Sequence, residues 1–201
     1  MSLFAKAQEV FELPNADLIY RPKFIEESEA SDLFNHLINT TPWQQDDINI
    51  FGKTYAQPRL TALYGVEDKP YSYSGITMHP HRFTKVLLAL KHNIEEISSQ
   101  PFTSVLLNLY RDGNDSNGWH ADNEKELGKH PVIASLSLGE SRWFHFKHRT
   151  LKQERHKLLL EHGSLLIMKG EMQEHWLHQI AKTKRKVKPR VNLTFRKLIN
   201  L

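Results

Sequence analysis

His120 and Asp122, in the run Trp119-His120-Ala121-Asp122, are the residues of this chain best spaced to do chemistry. In an extended segment side chains alternate between faces, so this imidazole and carboxylate point the same way. One histidine and one carboxylate, joined by a second histidine from elsewhere, form an open-sided triad. Such a triad holds Fe(II) and leaves three positions for co-substrate and oxygen. The tripeptide alone is common on protein surfaces, so its weight depends on its company.

Two further constellations supply that company. In Asn108-Leu109-Tyr110, the asparagine and tyrosine share a face and Leu109 points the other way. In Arg190-Val191-Asn192-Leu193-Thr194-Phe195-Arg196, polar residues fall at every second position. Val191, Leu193 and Phe195 would face a core, while Arg190, Asn192, Thr194 and Arg196 would line a cavity. Buried guanidinium groups are costly unless paired. An anionic ligand is therefore the economical reading, and arginine suits bidentate recognition of a carboxylate. Seven histidines follow Asp122. His178 lies in an expected strand close before the arginine strand, and His175 would face the opposite side. Spacing leaves the choice between them open.

These residues need strands to position them. From Thr103 onward short apolar or alternating runs cover 103–110, 132–138, 142–147, 157–161, 164–168, 175–180 and 189–197, punctuated by glycines. Many short strands at this spacing indicate a sandwich or barrel, with a jelly roll as the candidate. Ahead of them, Leu33, Phe34, Leu37 and Ile38 recur at helical spacing over about 28–40. A second stripe, from Phe83 to Ile97, predicts a helix over about 82–98. Ile48 to Lys53 reads as a short hairpin turning at Gly52. Residues 1–25, broken at Pro14 and Pro22, read as an irregular lead-in. The expected architecture is mainly β with N-terminal helices, in one domain. Its first hundred residues carry helices and recognition hairpins, and residues 101–201 form the catalytic β core.

Composition bounds the possibilities. A chain of 201 residues can hold one sizeable core. It has no cysteine, which excludes disulfides, a thiolate zinc site and a cysteine nucleophile. Its formal net charge is +4, mildly favouring a polyanionic partner. No stretch reads as a membrane span, and Met1 to Leu13 lacks a signal-peptide pattern. A monomeric intracellular protein without membrane contact is expected, cytoplasmic in a prokaryote or nuclear in a eukaryote.

In this order and over this length, Asn-x-Tyr, His-x-Asp, a distal histidine and Arg-x-Asn-x-Thr-x-Arg resemble the AlkB family of Fe(II)/2-oxoglutarate dioxygenases. Upstream, Phe51-Gly52-Lys53, Pro58-Arg59 and Tyr71-Ser72-Tyr73-Ser74-Gly75 are similar to the animal member that repairs alkylated double-stranded DNA. The resemblance implies a double-stranded β-helix with iron held by His120, Asp122 and His178. It implies 2-oxoglutarate bound by Asn108, Tyr110, Arg190, Thr194 and Arg196, supported by Asn192. Arg190 and Arg196 lie roughly 20 Å apart along a strand. Arg190 is accordingly expected to hold the distal carboxylate, and Arg196 to act nearer the metal or buttress a ligand.

The implied reaction uses O2 to demethylate bases such as 1-methyladenine and 3-methylcytosine in DNA, releasing formaldehyde, succinate and CO2. The resemblance assigns Tyr71 and Tyr73 to stacking the flipped base, Phe51 to filling its vacancy and Arg59 to a DNA contact. Asn123-Glu124 stand where that relative has two acidic residues. Glu124 keeps a carboxyl for the exocyclic amine of the base, and Asn123 brings no charge. Alternatives are an RNA or single-stranded DNA demethylase, and a non-catalytic nucleic-acid-binding module. The module would use the run 182–190, six of whose nine residues are Lys or Arg.

Overall fold

The computed structural model describes residues 8–50, 52–66, 71–73 and 76–199. The chain opens with β1 (Glu9–Leu13), β2 (Ala16–Arg21) and α1 (Glu27–Thr40). Short strands follow: β3 (Asp47–Ile50), β4 (Lys53–Ala56), β5 (Leu60–Gly65), β6 (Tyr71–Tyr73), β7 (Ile76–Met78) and β8 (His81–Arg82). Helix α2 (Lys85–Ser98) precedes β9 (Ser104–Tyr110), β10 (Asn117–His120), β11 (Ile133–Gly139) and β12 (Arg142–His148). The chain continues with β13 (Arg155–Leu160), β14 (Ser164–Lys169), the one-turn helix α3 (Met172–His175), β15 (Trp176–Ile180) and β16 (Arg190–Arg196).

Two sheets result. The major sheet runs β1-β2-β14-β11-β16-β9-β5-β8, and the minor sheet β10-β15-β12-β13. One face of the major sheet buries Leu107, Leu109, Val191, Leu193 and Phe195 together with Leu37 of α1 and Leu87, Leu90 and Ile94 of α2. Its other face shares a second core with the minor sheet, where Leu106, Ile133 and Leu166 meet Phe144, Phe146 and Trp176. This is the expected jelly roll, mainly β, with helices covering one side. Among the described residues no helix is long and apolar enough to cross a membrane.

Both expected helices form. Thr84 caps α2, its hydroxyl accepting from the Leu87 N–H at 3.2 Å. Acidic Glu27 and Glu29 sit in the first turn of α1, where the helix dipole favours them. The hairpin forms as β3 and β4, pairing Ile50 with Lys53 and turning through Gly52 at φ 77°; Phe51 lies outside the described residues.

The lead-in is not irregular. Residues 9–21 form a hairpin that pairs through β2 with β14 and extends the major sheet. Pro14-Asn15 is its turn, with Asn15 at φ 58°, a conformation asparagine tolerates. In β2 the alternating residues Ala16, Leu18 and Tyr20 are buried. Strand β5 also went unexpected. It is covered on both faces, with Thr61, Ala62, Leu63 and Tyr64 all buried, so it shows no alternation. The strand expected over 175–180 begins one residue later, because His175 still belongs to α3.

Candidate active site

The inner face of the minor sheet brings the triad together. His120 ends β10 and pairs in register with His178 of β15, their rings 4.3 Å apart. Asp122 follows in the loop and is drawn inward by two bonds. Its N–H donates to Gln173 Oε1 at 2.9 Å, and Arg196 Nη2 donates to its Oδ1 at 2.8 Å. One potential ligand atom from each of His120, Asp122 and His178 lies within 4.8 Å of the others. His175, the competing histidine, points elsewhere. Its Nε2 lies 3.3 Å from Glu171 Oε2, and its ring stacks on His148.

Protonation suits metal ligation. His120 Nδ1 sits 2.7 Å from the Gly118 carbonyl, which can only accept, so Nδ1 carries the proton and Nε2 keeps its lone pair. The Asn117 amide meets that lone pair at 3.1 Å. Burial lowers the His120 pKa. For His178, burial and then the neighbouring His120 push it down to about 3, so its ring is neutral at physiological pH. Burial alone would raise the Asp122 carboxyl. The Arg196 guanidinium and both imidazoles outweigh it and hold Asp122 below the ordinary carboxylate range.

The opposite wall comes from the major sheet. Strand β16 pairs with β9 so that Arg190 faces Tyr110 and Asn192 faces Asn108. As the alternation predicts, Asn108, Tyr110, Arg190, Asn192, Thr194 and Arg196 line the same cavity as the triad, a polar space of about 40 Å³. Arg190 is 1% exposed. Its Nη2 donates to Ser137 Oγ at 2.8 Å, while Nε and Nη1 have no hydrogen-bond partner. Its guanidinium carbon lies 5.3 Å from the centre of the Tyr110 ring, and burial lowers its pKa to about 10. Asn192 is internally satisfied. Its amide donates to Ser135 Oγ and the Leu136 carbonyl, and its Oδ1 accepts from Thr194.

The expected substrate residues separate. Arg59 is buried rather than exposed, donating to Asn108 Oδ1 at 2.8 Å and approaching the Ser116 carbonyl at 3.4 Å. As placed, it orients a cavity residue, because burying a guanidinium requires acceptors and Asn108 supplies one. Glu124 is partly buried, with Oε2 lacking a partner. Burial, then the charge of Asp122, raises its pKa. Asn123 is exposed. Tyr71 and Tyr73 lie in β6, paired with β7; their side chains, like Phe51, lie outside the described residues.

Sequence reasoning missed Gln173, Asn117, Ser135 and Ser137. The serines carried a signal, since Ser135-Leu136-Ser137 repeats small polar residues at period two beside the arginine strand. Gln173, in a single helical turn, carried none.

Residues 17–196 match the family described as the 2OG-Fe(II) oxygenase superfamily. Over 189 residues the chain is 44% identical to alpha-ketoglutarate-dependent dioxygenase alkB homolog 3 of Bos taurus, covering 87% of this chain and 64% of that protein. Over 159 residues it is 40% identical to DNA oxidative demethylase ALKBH2 of Mus musculus, covering 76% and 66%. The chain thus spans less than two thirds of the length of these relatives. It also superposes on the structure of OsALKBH1 with a TM-score of 0.65 at 16% identity, a likeness of fold covering 93% of this chain and 100% of that one. The family match reaches from β2 to the end of β16 and takes in every residue lining the cavity: the chain belongs to the 2OG-Fe(II) oxygenase superfamily, within which it is similar to the AlkB homologues.

Proposed function

We propose that this chain is an Fe(II)- and 2-oxoglutarate-dependent dioxygenase that demethylates N-alkylated bases, of the 1-methyladenine and 3-methylcytosine type, in DNA. One observation carries the reading. A single buried cavity joins the His120, Asp122, His178 triad to an arginine with two unpaired donors. Neutral imidazoles beside an ionised carboxylate are the donor set that ferrous iron takes. The open Nε and Nη1 of Arg190 form the fork that engages a carboxylate.

His120, Asp122 and His178 would hold the iron, and Arg190 the distal carboxylate of 2-oxoglutarate. When bound, that pair supplies the O2 chemistry that oxidises the N-methyl carbon, which leaves as formaldehyde while the co-substrate becomes succinate and CO2. The chain's own residues do the positioning. Arg196 keeps Asp122 ionised, Gly118 sets the His120 tautomer, and Gln173 fixes the loop between them. Arg59 occupies Asn108 Oδ1, which leaves the amide N–H groups of Asn108 for a ligand. Phe144, packed 5.2 Å from His178, helps exclude water. Glu124 stands two residues beyond Asp122, suited to meet the exocyclic amine of the base. A cationic methylated ring beside it would favour its ionised form.

Double-stranded DNA is the proposed substrate form, supported by the β3–β4 hairpin. The chain is further proposed to be a single-domain enzyme that acts as a monomer. A DNA substrate also implies an intracellular protein. The test is anaerobic addition of Fe(II) and 2-oxoglutarate, followed by oxygen and methylated oligonucleotides, single- and double-stranded. Formaldehyde should appear only with all components present. Binding of iron and co-substrate without formaldehyde from any methylated oligonucleotide would overturn the substrate assignment.

A further inference from the structure

The minor sheet has a second face, turned away from the cavity, that the proposed reaction does not use. Trp119 on β10 and Trp143 on β12 alternate with inward residues His120 and Phe144, and each indole is 41% exposed. Each is covered by a lysine. Lys147 Nζ lies 4.3 Å from the centre of Trp119, and Lys157 Nζ lies 4.6 Å from that of Trp143. Among the described residues neither ammonium has an ion-pair partner. Pairing of β12 with β13 sets His145 against Lys157 and Lys147 against Arg155 on the same face. None of these residues is a carboxylate. Lys147 lies four positions after Trp143, a span of roughly 13 Å along the strand.

Beside Trp143 the face opens into a groove of about 340 Å³, larger than the cavity at the triad. Trp143, His145 and Leu159 line it together with Lys182 and Arg185. The acidic residue on its rim, Glu140, is engaged by the Lys188 backbone N–H at 3.3 Å. Exposed indoles on two strands of one sheet face, each beside an unpaired cation, do not resemble a protein-docking patch. Such a patch is a contiguous apolar area. They match instead what a nucleic-acid strand presents: bases that stack on aromatic faces and phosphates that pair with the cations between them. The opposite sign of the charges provides the complementarity.

We propose that this outer face of the minor sheet is an auxiliary track for single-stranded nucleic acid, holding strand that extends beyond the base in the cavity. The proposal rests on the nucleobase reading of the cavity, yet its binding test is independent of turnover. The probes are an unmodified strand of about thirty nucleotides, as oligo-dT and as oligo-U, and a methylated oligonucleotide of about five nucleotides, too short to reach both surfaces. Trp143→Ala should weaken binding of the long strand about tenfold, and Trp143→Phe should restore most of it, as stacking requires. The double variant Lys147→Glu/Lys157→Glu should weaken it further and lower the slope of log affinity against log salt by about 2. Turnover of the short oligonucleotide should be unchanged in all three. The dT and U arms tell whether the track prefers DNA or RNA.

Long-strand affinity unchanged in both Trp143→Ala and the lysine double variant would overturn the track, as would an equal loss on fully duplex DNA. If the short oligonucleotide is not demethylated while long-strand binding still falls, the demethylase reading fails and the track stands.

Discussion

Arg196 Nη2 lies 2.8 Å from Asp122 Oδ1, and both side chains are almost wholly buried. The two residues are 74 apart in sequence and meet because β16 ends where the loop after β10 turns inward. At the far end of β16, roughly 20 Å away, Arg190 donates to Ser137, lies against Tyr110 and keeps Nε and Nη1 open. The strand's arginines therefore divide their work. One neutralises a ligand of the triad, and the other stands ready for a carboxylate.

Removing Arg196 should strand the Asp122 charge in a dry site. Breaking a buried pair from one side costs about 3–5 kcal/mol. Urea unfolding of metal-free Arg196→Ala should show a loss of this order. A loss under about 1 kcal/mol would mean that solvent reaches Asp122 and that the pair is not what keeps it ionised.

Arg190→Ala should raise the 2-oxoglutarate KM at least tenfold, because a charge-assisted fork is worth about 1.5–3 kcal/mol. Ser137→Ala should raise it only a few-fold, since it removes an orienting bond and leaves the charge. An unchanged KM in Arg190→Ala would reject the assignment of the distal carboxylate.

His178 and His175 should behave oppositely. His178→Gln should abolish Fe(II) binding, whereas His175→Gln should leave it intact. His178 should also bear on stability. His178 titrates at about 3 when folded, against an ordinary value of 6.5. Between those values the unfolded chain binds more protons. The folded state therefore loses stability as pH falls from 6.5 towards 3, and its contribution is complete above that window. Melting midpoints of the metal-free protein should fall with acidity across this range. The fall should be flatter in His178→Gln.

Phe51→Ala should lower turnover on duplex DNA much more than on single strands. Extruding a base from a duplex costs a few kcal/mol, part of which an apolar side chain in the vacancy recovers. Matched single- and double-stranded lesions give the comparison, and equal losses on both would reject a wedge.

Much of the site was legible because a strand repeats at period two. Asn108 with Tyr110, and Arg190 through Arg196, declare their shared face without any knowledge of the neighbouring strands. Contacts across the fold were not. Arg59 reads as a surface cation until Asn108, 49 residues later, is seen to accept its Nε proton. His175 and His178 could not be separated because α3 ends between them and breaks the strand register. The β1–β2 hairpin was hidden by its edge position, which leaves Glu9, Val10 and Glu12 exposed. β5 was hidden for the opposite reason, being buried on both faces.

Strand β16 serves two layers with no residue to spare. Val191, Leu193 and Phe195 belong to the core beneath the helices, and the four residues between and beside them belong to the cavity. The consequence concerns length. Gain or loss of one residue inside the strand would turn every side chain beyond it to the wrong face. A guanidinium would then enter the apolar layer and a phenylalanine would point at the triad. Point substitutions here can be graded in effect, but insertions and deletions cannot. Related chains should vary in length through the exposed run 181–189 and hold the seven residues of Arg190–Arg196 to a fixed count.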